Sequence, residues 1–429
     1  MKKIIIAALA VGLILVAYLA QVFYMGALNQ KIYEFMTVEN KYYGIKNKTF
    51  EKGFFNSKAN FEVVFNFEEF GYPLNSFVVL GQMLPPIKAT VTLKNNIFAS
   101  DNINIDIENP FHKIYSDLNI KDDNVIFDKV FLNIKANASL FNKINVKYKI
   151  NDITLKPNLT LSGLNFQTEL DKEGKIHSLS IDLGEFGFSE VSSLDLTEKF
   201  FLKNLHYEET IDKGVNFSDF LEGYRSGKAK FNLENLEALN ISFDDIKIDG
   251  RNDVNNDKVS GIINLNIKNI NSPLSEVKLD DIKAQITSNL SVNFLKHLSE
   301  EGYYTPTSDE KIFFDFLATE PIIELTNLSF NSNGKKVVMK GTFKGFQEQS
   351  STNLSIQSEA LMGEIFPILN FFNIDEYFIE KDGGFALDLL LTTLGNDSKI
   401  ILNGQELNLI QNDVQNFDAP SDENTTLVP

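Results

Sequence analysis

The chain has 429 residues with no Cys and no Trp, and its 58 Asp and Glu outnumber 40 Lys and Arg, which gives a formal net charge of -18. This charge repels phosphates over most of the surface and argues against a nucleic-acid partner. The absence of Cys excludes disulfides, thiolate catalysis and Cys-ligated zinc. The length exceeds a usual single domain of about 100 to 200 residues, and therefore predicts two domains or one elongated body.

The first 25 residues are the most apolar part of the sequence. Two lysines precede an apolar run, residues 4–25, in which Gln21 is the strongly polar member. A helix of this length reaches about 33 Å, enough to cross the hydrocarbon core of a bilayer. Residues 1–25 are therefore predicted to be a transmembrane anchor. The two lysines should remain on the cytoplasmic side, which places the rest of the chain across the membrane. A cleaved signal peptide is the alternative, but Tyr18 lies where cleavage after Ala20 requires a small side chain.

The rest of the chain is predicted to be mainly β. Residues 26–40 have apolar side chains at helical spacing and predict a short juxtamembrane helix. From there the period changes to two, and residues 41–410 predict an elongated antiparallel β-sheet body with a few short helices. Two sub-domains divided near residues 208–217 are the alternative to one body. The polar residues 411–429 predict a disordered tail.

Alternation of apolar and polar residues locates individual strands, and three segments predict helices. The helical segments are residues 293–301, 307–321 and 363–378, the last with Pro367 in a first helical turn. Its crowded apolar side chains require cover from the sheet, a partner or lipid, and we identify them as possible hydrophobic contacts: Phe366, Ile368, Leu369, Phe371 and Phe372. The predicted strands are "ANFEVVFNFEEF", "NINIDIEN", "INVKYKI", "LNISFDDIKI", "IINLNIKNI" and "TNLSFNS".

Motifs of catalysis and ligand binding are missing from the sequence. The four His residues occur in four different segments, and no nucleophile elbow, phosphate loop or metalloprotease motif is present. Acidic turns at residues 120–128 and 245–261 lack EF-hand spacing and favour solvated hairpin turns over calcium sites. The sequence therefore predicts no enzyme, no cofactor and no metal site. Asn424, in "DENTT", has Asp two residues before it, and is a possible glycosylation site in a cell with the bacterial machinery.

The segment after the anchor resembles the YdgA-like family of bacterial envelope proteins, a domain of unknown function. The resemblance begins with Tyr24 and Gly26 near the end of the anchor, and "FEKGFFNSKA" follows with the family signature of Phe50, Gly53, Phe54, Phe55, Ser57 and Ala59. The family commonly has Trp where this chain has Phe54. We expect Gly53 to turn the chain, and Phe54 and Phe55 to attach the first strand to the body beside the anchor. A later stretch, residues 313–345, looks like the family's helix, Pro, strand, Gly turn and second strand.

This resemblance implies a bacterial inner-membrane protein with its body in the periplasm, and implies no catalytic residues. A distant architectural likeness to AsmA-like proteins adds the expectation of an apolar groove that holds lipid. Two functions follow as hypotheses. The first is binding of a lipid or another hydrophobic molecule in envelope maintenance, with the membrane contacted through residues 4–25. The second is a structural or interaction protein that docks envelope or motility components. Periodicity alone leaves both an open groove and a closed core possible, since both alternate in the same way.

Overall fold

The computed structural model of the chain describes most of residues 43–407 and some positions before them. The described positions are residues 21, 25, 27, 29–31, 33–34, 37–39, 43–66, 86–95, 102–109, 125–138, 143–155, 159–191, 197–216, 220, 225–238, 240–255, 257–272, 277–295, 309–395 and 397–407. The chain is mainly β, with a large antiparallel sheet and a few short helices, as the alternation predicts.

The chain divides into two compact units. The first comprises residues 1–285 with 330–332, and the second comprises residues 286–329 with 333–429. This boundary differs from the predicted division near residues 208–217, where one continuous strand, Thr197–Val215, pairs with a neighbour on each side. Strand alternation continues through that stretch, since Glu208, Thr210 and Asp212 are exposed and Glu209 and Ile211 are buried.

The strands up to residue 291 are short at first and long later. They are β1 (Tyr43–Glu51), β2 (Asn56–Phe65), β3 (Ile87–Lys94), β4 (Ile103–Glu108), β5 (Val125–Phe127), β6 (Val130–Ala138), β7 (Lys143–Ile150), β8 (Ile153–Leu155), β9 (Leu159–Ser162), β10 (Asn165–Asp171), β11 (Ile176–Val191), β12 (Thr197–Val215), β13 (Gly227–Ala238), β14 (Ile241–Asn255), β15 (Lys258–Ser272) and β16 (Val277–Ser291).

In the first unit the strands form an antiparallel ladder. Its order is β1-β2-β3-β4-β6-β7-β10-β11-β12-β13-β14-β15. On a branch from β11, β9 pairs with β11, β8 with β9, and β5 with β8. Most neighbours in this order are also neighbours in sequence, so short turns suffice to connect them. The predicted strands within β2, β4, β7, β14 and β15 are confirmed.

A small core holds β1, β2 and β3 together. Val91, Leu93 and Ala59 are fully buried in it, and the ring of Phe50 stacks on Tyr33 with 5.0 Å between ring centroids. Tyr33 belongs to a helix, because the described residues from 25 to 34 are helical and Thr37 lies in a turn. A helix thus covers the start of the sheet within the range predicted for the juxtamembrane helix.

The second unit has its own core under a helix. The remaining elements are α1 (Asp309–Ala318), β17 (Ile322–Ser332), β18 (Lys335–Phe346), β19 (Gln349–Ser358), α2 (Met362–Ile365), two 3-10 helices (Pro367–Phe372 and Ile374–Tyr377), β20 (Ile379–Lys381), β21 (Gly384–Leu394), β22 (Asp397–Leu402) and β23 (Gln405–Leu407). Strands β18, β19, β21, β22 and β23 are joined in that order, and β20 pairs with β21. The ring of Phe316 in α1 stacks on Phe343 of β18 at 5.9 Å, and Leu317 is fully buried.

The predicted anchor and tail fall almost entirely outside the described residues. Of residues 1–25 only Gln21 and Met25 are described, and residues 411–429 lie outside. Within the described part of the chain, no helix combines the length and apolar character needed to cross a membrane.

Candidate hydrophobic binding face

Strands β11 to β15 place apolar side chains on one face of the sheet. Residues that lie opposite one another on neighbouring strands form rows that run across the sheet. We call the set of these rows the apolar face. Its rows are Phe186, Leu202, Leu236, Phe243 and Ile270; Leu183, Leu205, Leu233 and Ile246; Ile181, Tyr207, Phe231, Ile248 and Leu265; and Leu179, Ala229, Gly250 and Ile263.

In these strands the alternation of apolar and polar residues is interrupted at matching positions. At each interruption the apolar residues are three positions apart instead of two, and the rows on both sides remain on one face. Leu202 and Leu205 are three residues apart, as are Leu233 and Leu236, and Phe243 and Ile246. In each strand from β12 to β15, two consecutive polar residues lie at the interruption. We call these four pairs the crease: Lys203–Asn204, Glu234–Asn235, Asp244–Asp245 and Lys268–Asn269. Asn204 and Asp245 have positive φ, 52° each, a conformation that Asn and Asp tolerate better than other side chains.

The crease forms a polar depression on the opposite face of the sheet. It encloses about 700 Å³, and several of its polar groups pair with one another. Lys203 Nζ lies 3.1 Å from Glu234 Oε1, and Asn235 Nδ2 donates to Asp244 Oδ1 at 3.0 Å. The hydrogen bond from Asn204, followed by the contacts of the Lys203 ammonium, holds the pKa of Glu234 below its ordinary value. Internal pairing of this kind favours a structural role for the crease.

The apolar face is only partly covered. Leu233 and Ile246 at its centre are buried, whereas Phe231, Phe243 and most of the other members are intermediate in exposure. Ile263 at one margin is 43% exposed. A closed sandwich core packs such side chains at crystal-like density and buries them. The half-buried state therefore favours an open apolar surface.

A depression of about 200 Å³ opens in this face near the side chain of Ile263. Small residues create it, because Ala229 and Gly250 occupy positions where the next row has Phe231 and Ile248, and Gly227 follows Ala229 on the same face. Gly227 is required for a second reason: a Cβ there would lie 2.3 Å from the carbonyl oxygen of Thr210. The depression is thus built into the backbone and does not depend on a side-chain rotamer.

A charged cluster closes one side of the depression. Glu209 occupies an apolar-face position, opposite Leu179 and Ala229, and is buried. Its carboxylate accepts two hydrogen bonds from Arg225, Nε to Oε1 at 2.5 Å and Nη2 to Oε2 at 2.6 Å. Tyr207 also donates its hydroxyl to Oε2 at 2.8 Å. Paired carboxylate and guanidinium in this bidentate geometry are among the stronger charged contacts in proteins.

Arg225 has little capacity left for a ligand. Its Nη1 donates to the carbonyl oxygen of Phe220 at 2.7 Å, and its guanidinium carbon lies 4.1 Å from the centroid of the Phe220 ring. Burial, and then the hydrogen bond to Glu209, raise the pKa of Tyr207 to about 12. The cluster therefore ties Phe220 and Arg225 to β12. The rest of the lining combines apolar and small residues with Lys228, Lys230 and Asn252.

The family-signature residues lie together at the β1–β2 hairpin but differ in burial. Ser57 and Ala59 are fully buried, and Phe50 packs against the small core of the first three strands. Gly53 lies in the turn, where a Cβ would come within 2.1 Å of the Asn56 carbonyl oxygen, so glycine is required. Phe54 and Phe55 are exposed at the hairpin tip.

The possible hydrophobic contacts near Pro367 are likewise divided. Ile368 is 68% exposed and Phe371 is 86% exposed, whereas Phe366 and Leu369 are intermediate. The side chain of Phe372 lies outside the described residues, as does all of Asn424. Ile368 and Phe371 are three residues apart in a 3-10 helix, so they lie one above the other as an apolar tip.

Two of the four His residues are described, and each contacts one carboxylate. His177 Nε2 lies 3.2 Å from Asp171 Oδ2, and His206 Nδ1 lies 2.6 Å from Asp182 Oδ1. Among the described residues, no group of three or more His, Asp and Glu side chains is placed to hold a metal ion.

Sequence reasoning did not find the cluster of Tyr207, Glu209 and Arg225. The signal was present in "LHYEETI", where Glu209 interrupts an inward-facing series formed by Leu205, Tyr207 and Ile211. A carboxylate at a position that alternation assigns to the core requires a partner, and the alternation alone is enough to recognise such a position. The partner itself could not be named from the sequence.

Comparison with known proteins gives no relative for the chain. No family model, no curated protein and no solved structure matches it.

Proposed function

We propose that this protein is a membrane-anchored protein of the bacterial envelope that binds a lipid or another hydrophobic molecule on the apolar face of β11 to β15. The partly exposed state of that face carries the proposal, because it leaves apolar area that a ligand can remove from water. Residues 4–25 serve as the inner-membrane anchor, the body lies in the periplasm, and the resemblance to the YdgA-like family supports both assignments.

The ligand class follows from the dimensions and chemistry of the face. Five strands spaced about 4.8 Å apart give a surface roughly 20 Å wide, which suits an extended acyl chain. The depression near Ile263 is lined by Phe231, Ile248 and small residues, and accepts the end of such a chain. Arg225 is already bound to Glu209 and Phe220, so the cations that an anionic headgroup would meet at this depression are the exposed Lys228 and Lys230, while the apolar lining receives the tail.

A matched pair of variants tests the proposal. Ile262 and Ile263 are neighbours in β15, are 46% and 43% exposed, and point to opposite faces of the sheet. The full chain is purified from membranes in mild detergent, and bound phospholipid is counted by mass spectrometry. We expect Ile263→Asp to lose bound lipid and Ile262→Asp to retain it, while lipid around the anchor is common to both. Equal lipid content in the two variants and the parent would contradict binding on this face.

A second function, docking of an envelope or motility component, is supported by the apolar tip at Ile368 and Phe371. A photoreactive phenylalanine analogue at position 371 should form a discrete protein adduct in native membranes. The analogue at position 346, another exposed Phe in the second unit, is the control. Adducts of equal pattern at both positions would indicate random collision and count against docking at this tip.

A further inference from the structure

The tip of the β1–β2 hairpin presents two aromatic rings to the outside. Phe54 is 44% exposed and Phe55 is 61% exposed, and their rings meet edge to face with centroids 4.8 Å apart. Exposed adjacent Phe residues at a turn cost solvation free energy unless another apolar phase receives them. The contacts that hold the two rings in this exposed position are therefore of interest.

Asn95 holds this tip in a fixed position. Its Nδ2 donates to the carbonyl oxygens of Gly53 at 2.9 Å and Phe54 at 2.8 Å, and its backbone N–H donates to the carbonyl oxygen of Phe55 at 2.7 Å. Asn95 is only 2% exposed, so these bonds are shielded from water. The turn is therefore fastened to the end of β3, and the two rings extend from a rigid base.

The same Asn95 connects the tip to the apolar N-terminal run. Gln21 Nε2 donates to the Asn95 carbonyl oxygen at 3.3 Å, and Asn29 Nδ2 donates to Asn95 Oδ1 at 2.7 Å. Gln21 is the strongly polar residue of the run at residues 4–25, four residues before its end. At 1.5 Å per residue, that is about 6 Å from the end of the run. The hairpin tip is thus fixed beside the last turn of the predicted anchor.

The charges around the tip also suit a lipid surface. Lys52 and Lys58 flank the two rings in sequence and are exposed, as is Glu51, the cross-strand partner of Lys58, so the three side chains together carry one net positive charge. At a membrane interface, apolar rings enter the boundary between headgroups and acyl chains while lysine ammonium groups remain at the phosphates. The chain as a whole has a net charge of -18, so the local excess of positive charge makes the hairpin tip a more favourable place for contact with anionic lipid than most of the surface.

We propose that Phe54 and Phe55 insert into the periplasmic interface of the membrane next to the anchor. They form a second contact with lipid, which sets the orientation of the β1–β3 core relative to the bilayer. The inference rests on the proposed anchorage through residues 4–25. Asn95 acts as a positioning residue, because it aligns the tip with the end of the anchor through Gln21 and Asn29.

Tryptophan fluorescence, excited at a wavelength that tyrosine does not absorb, tests the insertion directly, because the chain contains no Trp and each variant then carries a single one. The full chain is reconstituted in vesicles of phosphatidylcholine and phosphatidylglycerol that contain lipids brominated near the headgroup or deep in the tails. Phe55→Trp reports the tip and Leu15→Trp reports the anchor. Phe346→Trp is the matched control, an exposed Phe at the end of a strand that leads into another hairpin.

We expect headgroup-brominated lipid to quench Phe55→Trp several-fold more than Phe346→Trp, and tail-brominated lipid to quench Leu15→Trp most. If Leu15→Trp is quenched and Phe55→Trp is not, the tip proposal is overturned and the anchorage stands. If Leu15→Trp is not quenched, the anchorage itself fails and the tip proposal fails with it. The two failures therefore have different signatures.

A further variant tests the positioning role of Asn95. In the Phe55→Trp chain, Asn95→Ala should lower headgroup quenching toward the Phe346→Trp value while circular dichroism stays unchanged. Gln21→Leu removes one hydrogen bond and preserves the hairpin, so it should lower quenching even if Asn95→Ala fails to fold. Undiminished quenching in Gln21→Leu would overturn the alignment of the tip by the anchor.

Discussion

Tyr207 has a strongly shifted pKa and lies beside the buried ion pair of Glu209 and Arg225. The pKa of Tyr207 rises from its ordinary value of 10.0 to about 12, first because of burial and then because its hydroxyl donates to the Glu209 carboxylate. Ionised Tyr207 would place two negative charges side by side. The folded state therefore favours the neutral phenol over a pH range in which an unfolded chain has already lost that proton.

This shift predicts a pH dependence of stability. Because the folded pKa is raised, the contribution of Tyr207 is fully present below pH 10.0 and is lost as the pH rises toward about 12. Urea midpoints of the parent and of Tyr207→Phe should therefore converge between these values. Tyrosinate ultraviolet absorbance, taken as the difference between the two proteins, should titrate near the raised pKa. A difference spectrum that titrates at the ordinary value would contradict the assignment.

The Arg225–Glu209 pair predicts a large asymmetry between single and double substitution. Arg225→Met leaves a buried carboxylate unpaired and should cost about 3 to 5 kcal/mol of unfolding free energy. Glu209→Leu combined with Arg225→Met removes both charges and should recover most of that loss. Chemical denaturation of the four proteins of the double-mutant cycle measures the coupling.

An exposed arginine of the same sheet provides the control. Arg251 Nη2 lies 3.3 Å from Asp212 Oδ2, and both side chains are exposed. Arg251→Met should change the unfolding free energy by about 0 to 1 kcal/mol. If Arg225→Met and Arg251→Met lower the unfolding free energy by equal amounts, the prediction that the buried pair contributes more than the exposed pair is wrong.

At the scale of the element, the crease determines how the strands present their side chains. Each strand from β12 to β15 has two consecutive polar residues at the same level, and the apolar residues on both sides of the pair share one face. In β12 and β14 the second residue of the pair, Asn204 and Asp245, has left-handed backbone. The arrangement acts as an aligned series of strand irregularities, which commonly bend a sheet.

Asn204 should tolerate glycine and reject a branched side chain. Asn204→Val places a β-branched residue at φ 52° and should cost about 1 to 2 kcal/mol. Asn204→Gly loses the side-chain hydrogen bond to Glu234 but relaxes the backbone, so its cost should be smaller. Lys203→Val, on the same face, is the control. Urea denaturation of the full chain in mild detergent compares the three, and a harmless Asn204→Val would contradict a backbone role.

The crease also marks how far the sequence could predict this fold. Alternation locates strands such as β4, β7, β14 and β15, because one buried face and one wet face impose a period of two. The same sequence contains the break in that period, as in "LKNL" and "LENL", but a break alone does not reveal that several strands break at one level. Register depends on pairing over long sequence distances, which a local pattern does not contain.

The exposure of Phe54 and Phe55 was missed for a related reason. Two aromatic residues beside a glycine turn predicted attachment of the first strand to the body, yet Phe50 makes that attachment by stacking on Tyr33. A hairpin tip has no second layer to cover it, and position in the hairpin outweighs side-chain hydrophobicity. Three aromatic residues within six positions cannot be assigned to core or tip until the turn is located.

At the scale of the whole molecule, the division into two compact units predicts separable unfolding. Each unit has buried side chains of its own, Val91 and Leu93 in the first and Leu317 and Val337 in the second. Units with separate cores can lose their structure at different temperatures. Differential scanning calorimetry of the full chain should therefore resolve two transitions.

A substitution in one unit should move one transition only. Gly345 packs against α1, and a Cβ there would lie 2.8 Å from Leu317 Cδ2 and 2.9 Å from the Pro321 ring. Gly345→Val should destabilise the second unit by about 1 to 3 kcal/mol through overpacking. Gly44→Ala, where no atom lies within 4 Å of the added Cβ, is the control. A single transition that shifts as a whole would contradict independent units.

The crease has a consequence for the kinds of sequence change that the protein can accept. In an ordinary strand, a deletion of one residue moves every side chain beyond it to the other face. Here the deletion of Asn204 would leave Leu202 and Leu205 two residues apart and on one face, but it would shorten β12 by one residue and shift Phe200 and Leu202 out of register with their partners Ala238 and Leu236. Insertions and deletions at this level must therefore occur in several strands together, whereas substitutions can accumulate one at a time. Because the crease links the registers of these strands, the number of residues in each strand should vary less than the identity of its side chains.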